Sequence, residues 1–321
     1  MEPHPLPVAG QDYPQTYSEF LDWFSDEEAC RRYLHGCRWP EGFVCPHCGK
    51  KAKVWTTARG YLHCRECGGE TSLTAGTVFE RTRFPLRTWF SAMWFMMSQK
   101  DGASALGLQR VLGVGSYQTA WTWLHKLRRA LVRPNRDRLR GRIEVDEIYI
   151  GGVETGGKCG RGSSKKEVVV IAVEVLSPKG FGRIRMRRIP DVSSVNLASF
   201  IGDVVEKGSV ILTDGWGGYR PATKNGYIHE VVILSDSGDP AHVHMPGVHR
   251  IAALVKRWLL GTHQGSVEGK HLEYYLDEFT FRFNRRSSRS RGLLFHRLVE
   301  QAAACAPCTY RQIVAEGRHN I

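Results

Sequence analysis

Residues 142–152 read RIEVDEIYIGG, a run of β-branched and aromatic residues that predicts a β-strand. Asp146 stands in the middle of this run, where a charged side chain is costly unless the strand opens onto a polar site. A second apolar run, SVILTDG at 209–215, ends on Asp214. Residues 193–208 predict a helix between the two strands, so we expect a crossover connection that sets the two strands side by side.

The rest of this region predicts a mixed α/β fold. Apolar or alternating runs at 167–176, 182–190 and 229–234 predict further strands, and apolar residues at helical spacing predict helices over 248–261 and 271–286. Strands that flank a helix and are followed by more helices are typical of a layered α/β architecture.

Charge and composition restrict the class of partner. The chain has 321 residues, 45 Lys and Arg against 32 Asp and Glu, and a formal net charge of +13, which favours a polyanion, nucleic acid before a membrane. With 13 Phe, 9 Trp and 11 Tyr, the chain is not wholly disordered. The longest uncharged apolar stretch is about half of the roughly 20 residues that span a bilayer. Without a signal peptide, we predict a cytoplasmic, nucleoid-associated protein of a bacterium.

Two cysteine pairs predict a structural zinc site. Cys45 and Cys48 form one C-x2-C, Cys64 and Cys67 form another, and fifteen residues separate the pairs. Four thiolates close a tetrahedral Zn²⁺ site without an open position for catalysis. Glycines follow each pair and let the backbone curl around the sulfurs. The neighbouring histidines are not expected to be ligands, and the C-x2-C at 305–308 is interpreted as a bystander.

Residues 103–133 have the pattern of a helix-turn-helix, with a Gly-Val-Gly turn at 113–115. The alternative is a plain helical hairpin that joins two domains. A basic cluster near the end of the last predicted core helix is interpreted as a phosphate-contacting stripe, with a solvated helix end as its alternative. The predicted DNA-contacting residues are Tyr117, Gln118 and Thr119 at the start of the second helix, Lys126, Arg128 and Arg129 further along it, and Arg282, Arg285 and Arg286 in the basic cluster.

Two aspartates on neighbouring strands are suited to hold two Mg²⁺ or Mn²⁺ ions for phosphoryl transfer. A two-aspartate site of this kind usually takes a third ligand from a later helix. His249, on the helix predicted over 248–261, is a candidate for that place, and Lys256 follows two helical turns later on the same face. No acid occupies the stretch between Asp239 and Glu268. His249 could instead contact the DNA backbone or be a core histidine. The acids that compete with it as third ligand are Glu268, Glu273 and, best of the three, Glu278.

Five phrases resemble bacterial insertion-sequence transposases of the zinc-ribbon, ISXO-like group in the DDE superfamily. They are TSLTAGTVFERTRFPL (71–86), VDEIYIGG (145–152), LTDGWGGY (212–219), VHRIAALVKRWLLGTHQG (248–265) and YLDEFTFRFNRR (275–286). The resemblance covers roughly residues 20–300. It implies a ribonuclease-H-like fold and strand transfer without a covalent enzyme intermediate.

The same resemblance implies roles for single residues. Asp146 and Asp214 match the first two acids of the family, and His249 with Lys256 best matches its third position and the lysine that follows. The family varies at the third position among Asn, Glu and His, and His is the less common choice there. In ribonuclease-H-like recombinases an acid often lies roughly 35 residues after the second aspartate, which is where His249 stands.

We therefore predict a Mg²⁺-dependent DNA transposase that cleaves phosphodiester bonds at the ends of an insertion sequence and joins the freed 3′-hydroxyl to target DNA. Its partners would be double-stranded DNA, at the insertion-sequence ends and at the target, and further copies of the chain when two ends are paired, with no membrane. The predicted domains are an N-terminal leader and helix (1–38), a zinc ribbon (39–82), a helix-turn-helix-like region (83–135), a ribonuclease-H-like catalytic domain (136–290) and a basic C-terminal tail (291–321).

Two other functions compete with this prediction. A domesticated or inactive relative would act as a zinc-dependent DNA-binding protein, but such a protein has no need of Asp146 and Asp214 on those strands. A plain ribonuclease-H-type nuclease would use the two acids but not the ribbon or the helix-turn-helix.

Overall fold

The computed structural model describes residues 6–133, 135–151, 166–223, 226–232, 241–265 and 267–316. The chain divides into two units. The first contains Met1–Arg133 and Ser288–Ala315, and the second contains Pro134–Ser287 and Glu316–Ile321. Among the helices of the described ranges, none is both long enough and apolar enough to cross a membrane.

The N-terminal part of the first unit combines helices with a small antiparallel sheet. Its elements are α1 (Tyr17–Trp23), α2 (Glu27–Arg38), β1 (Val54–Thr56), β2 (Tyr61–Cys64), β3 (Glu70–Ser72), α3 (Leu86–Ser98), α4 (Ala105–Leu112) and α5 (Tyr117–Ala130). Ser104 and Ser116 cap α4 and α5, because each side chain accepts the backbone N–H of the third residue of its helix. Gly113 ends α4 in the left-handed conformation, which lets the chain turn into α5.

The second unit is built on one mixed sheet. Its elements are β4 (Arg142–Ile150), β5 (Glu167–Val175), β6 (Phe181–Ile189), α6 (Ser194–Val204), β7 (Val210–Asp214), α7 (Tyr219–Thr223), β8 (Ile228–Val232), α8 (Ala241–His244), α9 (Pro246–His263) and α10 (Leu272–Asn284). The sheet has five strands in the order β6-β5-β4-β7-β8. Strand β5 pairs antiparallel with both β4 and β6, whereas β7 pairs parallel with β4 and β8 pairs parallel with β7. The predicted mixed α/β class, with a four-cysteine ribbon and this sheet, is confirmed.

The two faces of the sheet are covered by different helices. On one face, Ile143 and Val145 of β4 pack with the apolar side of α6. On the other face, Ile148 of β4 and Leu212 of β7 pack with residues of α9 and α10. Because side chains alternate along a strand, Glu144 and Asp146 belong to the α9 face with Ile148, and Asp214 belongs there with Leu212.

The C-terminal segment differs from its prediction. Residues 291–321 were expected to form a basic tail, but they begin with α11 (Arg291–Ala304), which belongs to the first unit and is followed by α12 (Tyr310–Glu316). Phe295 of α11 is fully buried and packs against the rings of Phe20, Phe24 and Phe90. A short helix can therefore be basic at its first residue and still bury one full apolar face.

Candidate active site and metal centre

The four predicted zinc ligands lie together in the first unit. The Sγ atoms of Cys45, Cys48, Cys64 and Cys67 are all within 4.8 Å of one another, and the Sγ atoms of Cys45 and Cys67 are 3.7 Å apart. Within the described ranges, this is the one group of three or more Cys, His, Asp or Glu side chains gathered so closely. Four thiol donors at this separation are suited to a structural Zn²⁺ ion.

Glycines shape both turns of this cluster. Gly49 donates its N–H to the carbonyl of Cys45 at 2.8 Å, and Gly68 donates to that of Cys64 at 2.9 Å. Both glycines have positive φ, +70° and +72°, a conformation that side chains disfavour. His47 is turned away, with its Nε2 3.0 Å from the carbonyl of Glu70. The sulfurs are thus aimed at one point by the backbone.

The two candidate catalytic aspartates lie on adjacent strands of the second unit. In the parallel pairing of β4 with β7, Glu144 stands opposite Leu212. Asp146 and Asp214 each follow two residues later, so they share the α9 face at matching positions. Asp146 Oδ1 accepts the N–H of Glu147 at 2.9 Å, and Asp214 Oδ1 accepts the N–H of Trp216 at 3.0 Å. A backbone N–H therefore orients each carboxylate.

A buried carboxylate holds the first turn of α9 over β4. Glu144 is 2% exposed, and its Oε2 accepts the N–H of Val248 at 2.9 Å. Burial raises the pKa of Glu144, while N–H groups of α9 and the charge of Arg142 act in the opposite direction. Gly247 permits the close approach, because a Cβ at that position would lie 2.8 Å from Glu144 Oε2. The N-terminus of α9 is thereby bound to Glu144, which precedes Asp146 by two positions on β4.

His249 belongs to this first turn of α9 and is half-buried. Two turns later Lys256 is exposed at the edge of the buried stripe that Val248, Ile251 and Val255 form. The ligand atoms of Asp146, Asp214 and His249 are not all within 4.8 Å of one another. A site with two ions about 4 Å apart does not require that, because its ligands divide between the ions.

The competing acids are engaged elsewhere in the second unit. Glu278 is 0% exposed, and its Oε1 accepts hydrogen bonds from Arg282 at 2.9 Å. Its helix, α10, packs mainly on β6, which is separated from β4 by β5. Glu273 binds the backbone N–H of Arg188 on β6, and Glu268 pairs with Lys270 at 3.1 Å. Among the alternatives that the sequence left open, this geometry favours His249.

Two regions of the chain match known protein families. Residues 138–284 match the ISXO2-like transposase domain, and residues 25–70 match the transposase zinc-ribbon domain. The chain belongs to the ISXO2-like transposases with a zinc ribbon. The candidate catalytic residues lie inside the first match, and the four cysteines lie inside the second. The family resemblance stated from the sequence is confirmed.

A relative of this ISXO2-like transposase is described as an uncharacterized protein in transposable element ISH50 of Halobacterium salinarum. It is 27% identical over 278 residues, which cover 81% of this chain and 91% of the relative. Because this relative is archaeal, the comparison does not support the predicted bacterial origin.

The helix-turn-helix candidates of the transposase differ in their surroundings. At the start of α5, Tyr117 is 54% exposed, Gln118 is exposed and Thr119 is half-buried. Lys126 and Arg129 are half-buried, and burial lowers the pKa of Lys126. The assignment of Arg128 to a DNA-contacting surface is corrected, because this residue is 1% exposed and its Nη2 donates to the carbonyl of Ala103 at 3.1 Å. Arg128 joins α5 to the segment before α4.

The predicted arginine stripe is also partly internal. Arg282 binds Glu278, and the Arg285 guanidinium lies 3.9 Å from the ring centroid of Phe281. Arg286 donates to the carbonyls of Gly182 and Phe283 at 3.2 and 2.8 Å, and also to that of Phe181. Arg282 and Arg286 thus stabilise the C-terminal end of α10, and Arg286 also ties this end to β6. Beyond α10, Arg289 and Arg291 are exposed.

We expect purified protein to contain about one zinc per chain, because a C-x2-C pair of thiolates on each side completes one tetrahedral site. Cys64→Ser should lose the metal and unfold the ribbon, since metal binding and folding are coupled in such small modules. Elemental analysis of the purified variants measures this directly. Cys305→Ser, in the C-x2-C outside the cluster, is the matched control and should keep its zinc. Full zinc in Cys64→Ser would contradict the assignment.

Proposed function

We propose that this chain is a DNA transposase that hydrolyses phosphodiester bonds at the ends of an insertion sequence and joins the freed 3′-hydroxyl to target DNA. The observation that carries the proposal is the pair Asp146 and Asp214, at matching positions of adjacent parallel strands in the domain that matches the transposase family. Strand transfer of this kind needs positioning and charge neutralisation rather than a covalent intermediate.

Asp146, Asp214 and His249 would hold Mg²⁺ or Mn²⁺. Carboxylate oxygens suit hard divalent cations that keep several waters. An imidazole nitrogen is a better ligand for Mn²⁺ than for Mg²⁺. When bound, the ions activate the attacking oxygen and neutralise charge on the leaving oxygen. Two carboxylates and a neutral imidazole carry a charge of −2 where three carboxylates would carry −3. Phosphate oxygens of the DNA therefore have to contribute more of the negative charge around the ions.

The chain's own residues would supply orientation and phosphate binding. The backbone N–H groups of Glu147 and Trp216 fix one oxygen of each aspartate. Glu144 fixes the N-terminus of α9 and with it the direction of His249. Lys256, exposed on the His249 side of α9, would bind the phosphate next to the cleaved bond.

DNA recognition is assigned to the first unit. The start of α5, with Tyr117 and Gln118 exposed and Thr119 half-buried, would contact base edges in the major groove. Lys126 and Arg129 would contact phosphates, and Arg128 is withdrawn from this role because it is buried. Pairing of two insertion-sequence ends would require at least two copies of the chain, so we propose a homo-oligomer on paired ends. The site of action would be the nucleoid, where the DNA lies.

The catalytic proposal is tested on duplexes made from the DNA that flanks the coding region on each side. The native chain should cleave these ends with Mg²⁺ or Mn²⁺. Asp146→Ala and Asp214→Ala should bind the ends but not cleave them, because each removes a carboxylate ligand. His249→Ala should lose most cleavage, and His249→Glu should keep part of it, since a carboxylate can take the same place. Strand cleavage on a denaturing gel is the measurement.

Glu268→Ala is the control, since Glu268 is an exposed acid that pairs with Lys270. It should cleave at the native rate. Normal cleavage by His249→Ala together with no cleavage by Glu278→Gln would make Glu278 the third ligand. A native chain that binds the ends but never cleaves them would favour the inactive, DNA-binding relative.

Base and phosphate contacts on α5 are separated by two substitutions. Gln118→Ala should weaken binding to the end duplex by about 1–3 kcal/mol while binding to unrelated DNA stays unchanged, because it removes a base contact. Arg129→Gln should weaken binding to all DNA and lower the salt slope by about 0.9, because it removes one phosphate contact. Arg32→Gln, at an exposed arginine of α2, is the control. Fluorescence anisotropy titrations at several salt concentrations measure all three. If both α5 variants bind DNA like the native chain, α4 and α5 form a plain helical hairpin rather than a DNA-binding helix-turn-helix.

A further inference from the structure

A buried hydrogen bond joins the segment after Asp214 to the residue after Asp146. The hydroxyl of Tyr219, at the start of α7, donates to Glu147 Oε2 at 2.9 Å. Tyr219 is 0% exposed and Glu147 is 9% exposed. Both side chains lie on the α6 face of the sheet, behind the face that carries the two aspartates.

Each residue of this bond is linked through the backbone to a donor that orients one candidate ligand. The N–H of Glu147 is the donor to Asp146 Oδ1 at 2.9 Å. The N–H of Trp216, three residues before Tyr219, is the donor to Asp214 Oδ1 at 3.0 Å. Any shift of Tyr219 relative to Glu147 therefore moves the backbone donors that orient the two carboxylates.

Contacts at Trp216 and Gly218 hold the segment between Asp214 and Tyr219 in place. The indole N–H of Trp216 donates to the carbonyl of Val192 at 3.3 Å. A Cβ at Gly218 would lie 2.5 Å from Trp216 Nε1 and 3.0 Å from the Val192 carbonyl oxygen. Tyr219 then packs into the apolar cluster that covers α6. Gly215 and Gly217 are exposed with open space around them, so this segment is held at Trp216, Gly218 and Tyr219 rather than along its whole length. Through these three points a displacement of Tyr219 reaches the N–H of Trp216.

The surroundings also keep the Tyr219 hydroxyl protonated. Burial raises its pKa well above the ordinary value for tyrosine, and the charges of Glu147, Asp146 and Asp214 raise it further. The hydroxyl is thus a permanent donor that lies within electrostatic reach of both aspartates.

We propose that Tyr219 and Glu147 are positioning residues that set the separation of the Asp146 and Asp214 carboxylates and thereby the affinity of the site for a divalent ion. Neither residue touches the ion or the DNA. This inference rests on the proposed function, because it assigns the ion to those two aspartates. Partners that orient metal ligands typically change metal affinity by about 10–100-fold when they are removed.

The test uses Mn²⁺ alone as the probe, with the full-length protein bound to end duplex. Free Mn²⁺ is measured by electron paramagnetic resonance during a titration. Tyr219→Phe removes only the hydroxyl and should weaken Mn²⁺ binding by about tenfold. Tyr227→Phe is the matched control, since its hydroxyl donates to a backbone carbonyl of the same unit, that of Val205. It should bind Mn²⁺ like the native chain. Asp146→Ala should lose one bound ion.

Cleavage kinetics give a second measurement. For Tyr219→Phe the Mn²⁺ concentration that gives half the maximal rate should rise by about tenfold, and the rate at saturating Mn²⁺ should return to within about twofold of native. Glu147→Gln keeps an oxygen acceptor for the hydroxyl, so this variant should keep most of the native affinity for Mn²⁺. Glu147→Ala removes the acceptor, and the double variant with Tyr219→Phe should bind Mn²⁺ no more weakly than either single variant, because both remove the same bond.

The outcomes separate the inference from the proposed function. Unchanged Mn²⁺ affinity in both Tyr219→Phe and Glu147→Ala, with the Asp146→Ala loss intact, would overturn the positioning role alone, even if their unfolding temperatures fall. Additive losses in the double variant would also overturn it. Mn²⁺ binding that survives Asp146→Ala and Asp214→Ala would overturn the proposed function, and the positioning role with it.

Discussion

The parallel pairing of β4 with β7 is the constraint on which the candidate active site depends. It places Glu144 opposite Leu212, and because side chains alternate with a period of two, Asp146 and Asp214 follow on one face. A shift of one residue in this pairing would send one aspartate to the α6 face and separate the two carboxylates. Apolar residues on both faces of the sheet fix the register, since the same shift would also expose them to the wrong helices.

Strand β4 carries an unusual density of acids, and each buried one is matched by a group from another part of the chain. Glu144 accepts a hydrogen bond from a backbone N–H at the N-terminus of α9, and Glu147 accepts one from the hydroxyl of Tyr219. A buried carboxylate without such donors would destabilise the fold by several kcal/mol, whereas one that accepts hydrogen bonds is tolerated. The two glutamates on either side of Asp146 therefore connect β4 to α9, which carries His249, and to α7, the helix that follows Asp214 in the chain. The same carboxylates contribute to the fold and to the geometry of the candidate site.

The sequence was sufficient for the features that depend on local pattern. The apolar runs predicted the five strands of the second unit, and the two C-x2-C motifs predicted the four-cysteine cluster, because strand periodicity and turn geometry are decided within a few residues. The roles of Glu144, Tyr219 and Gly247 could not be found in that way. Each depends on a contact between residues more than seventy positions apart, which no local pattern encodes.

Two other differences between sequence prediction and structure could have been predicted from the spacing of residues along a helix. Arg128 follows Leu124 by four residues and so lies on its buried face, and Arg282 follows Glu278 by four residues, the spacing of an ion pair along a helix. The charge of these arginines favours a DNA contact, whereas their positions on the helix assign them to buried or paired sites. The apolar stripe of α11 was missed for a related reason, because the arginines around its start suggested a basic tail.

Cleavage of the protein backbone by bound iron tests the central claim most directly, which is that β4, β7 and the start of α9 surround the catalytic ions. Fe²⁺ replaces Mg²⁺ or Mn²⁺ at such oxygen-rich sites, and with ascorbate and peroxide it generates hydroxyl radicals that cut the nearest peptide bonds. With end duplex bound, we expect cuts close to residues 146, 214 and 249, and their suppression by excess Mg²⁺. Cuts that cluster near residue 278, or that are confined to the ribbon, would contradict the claim.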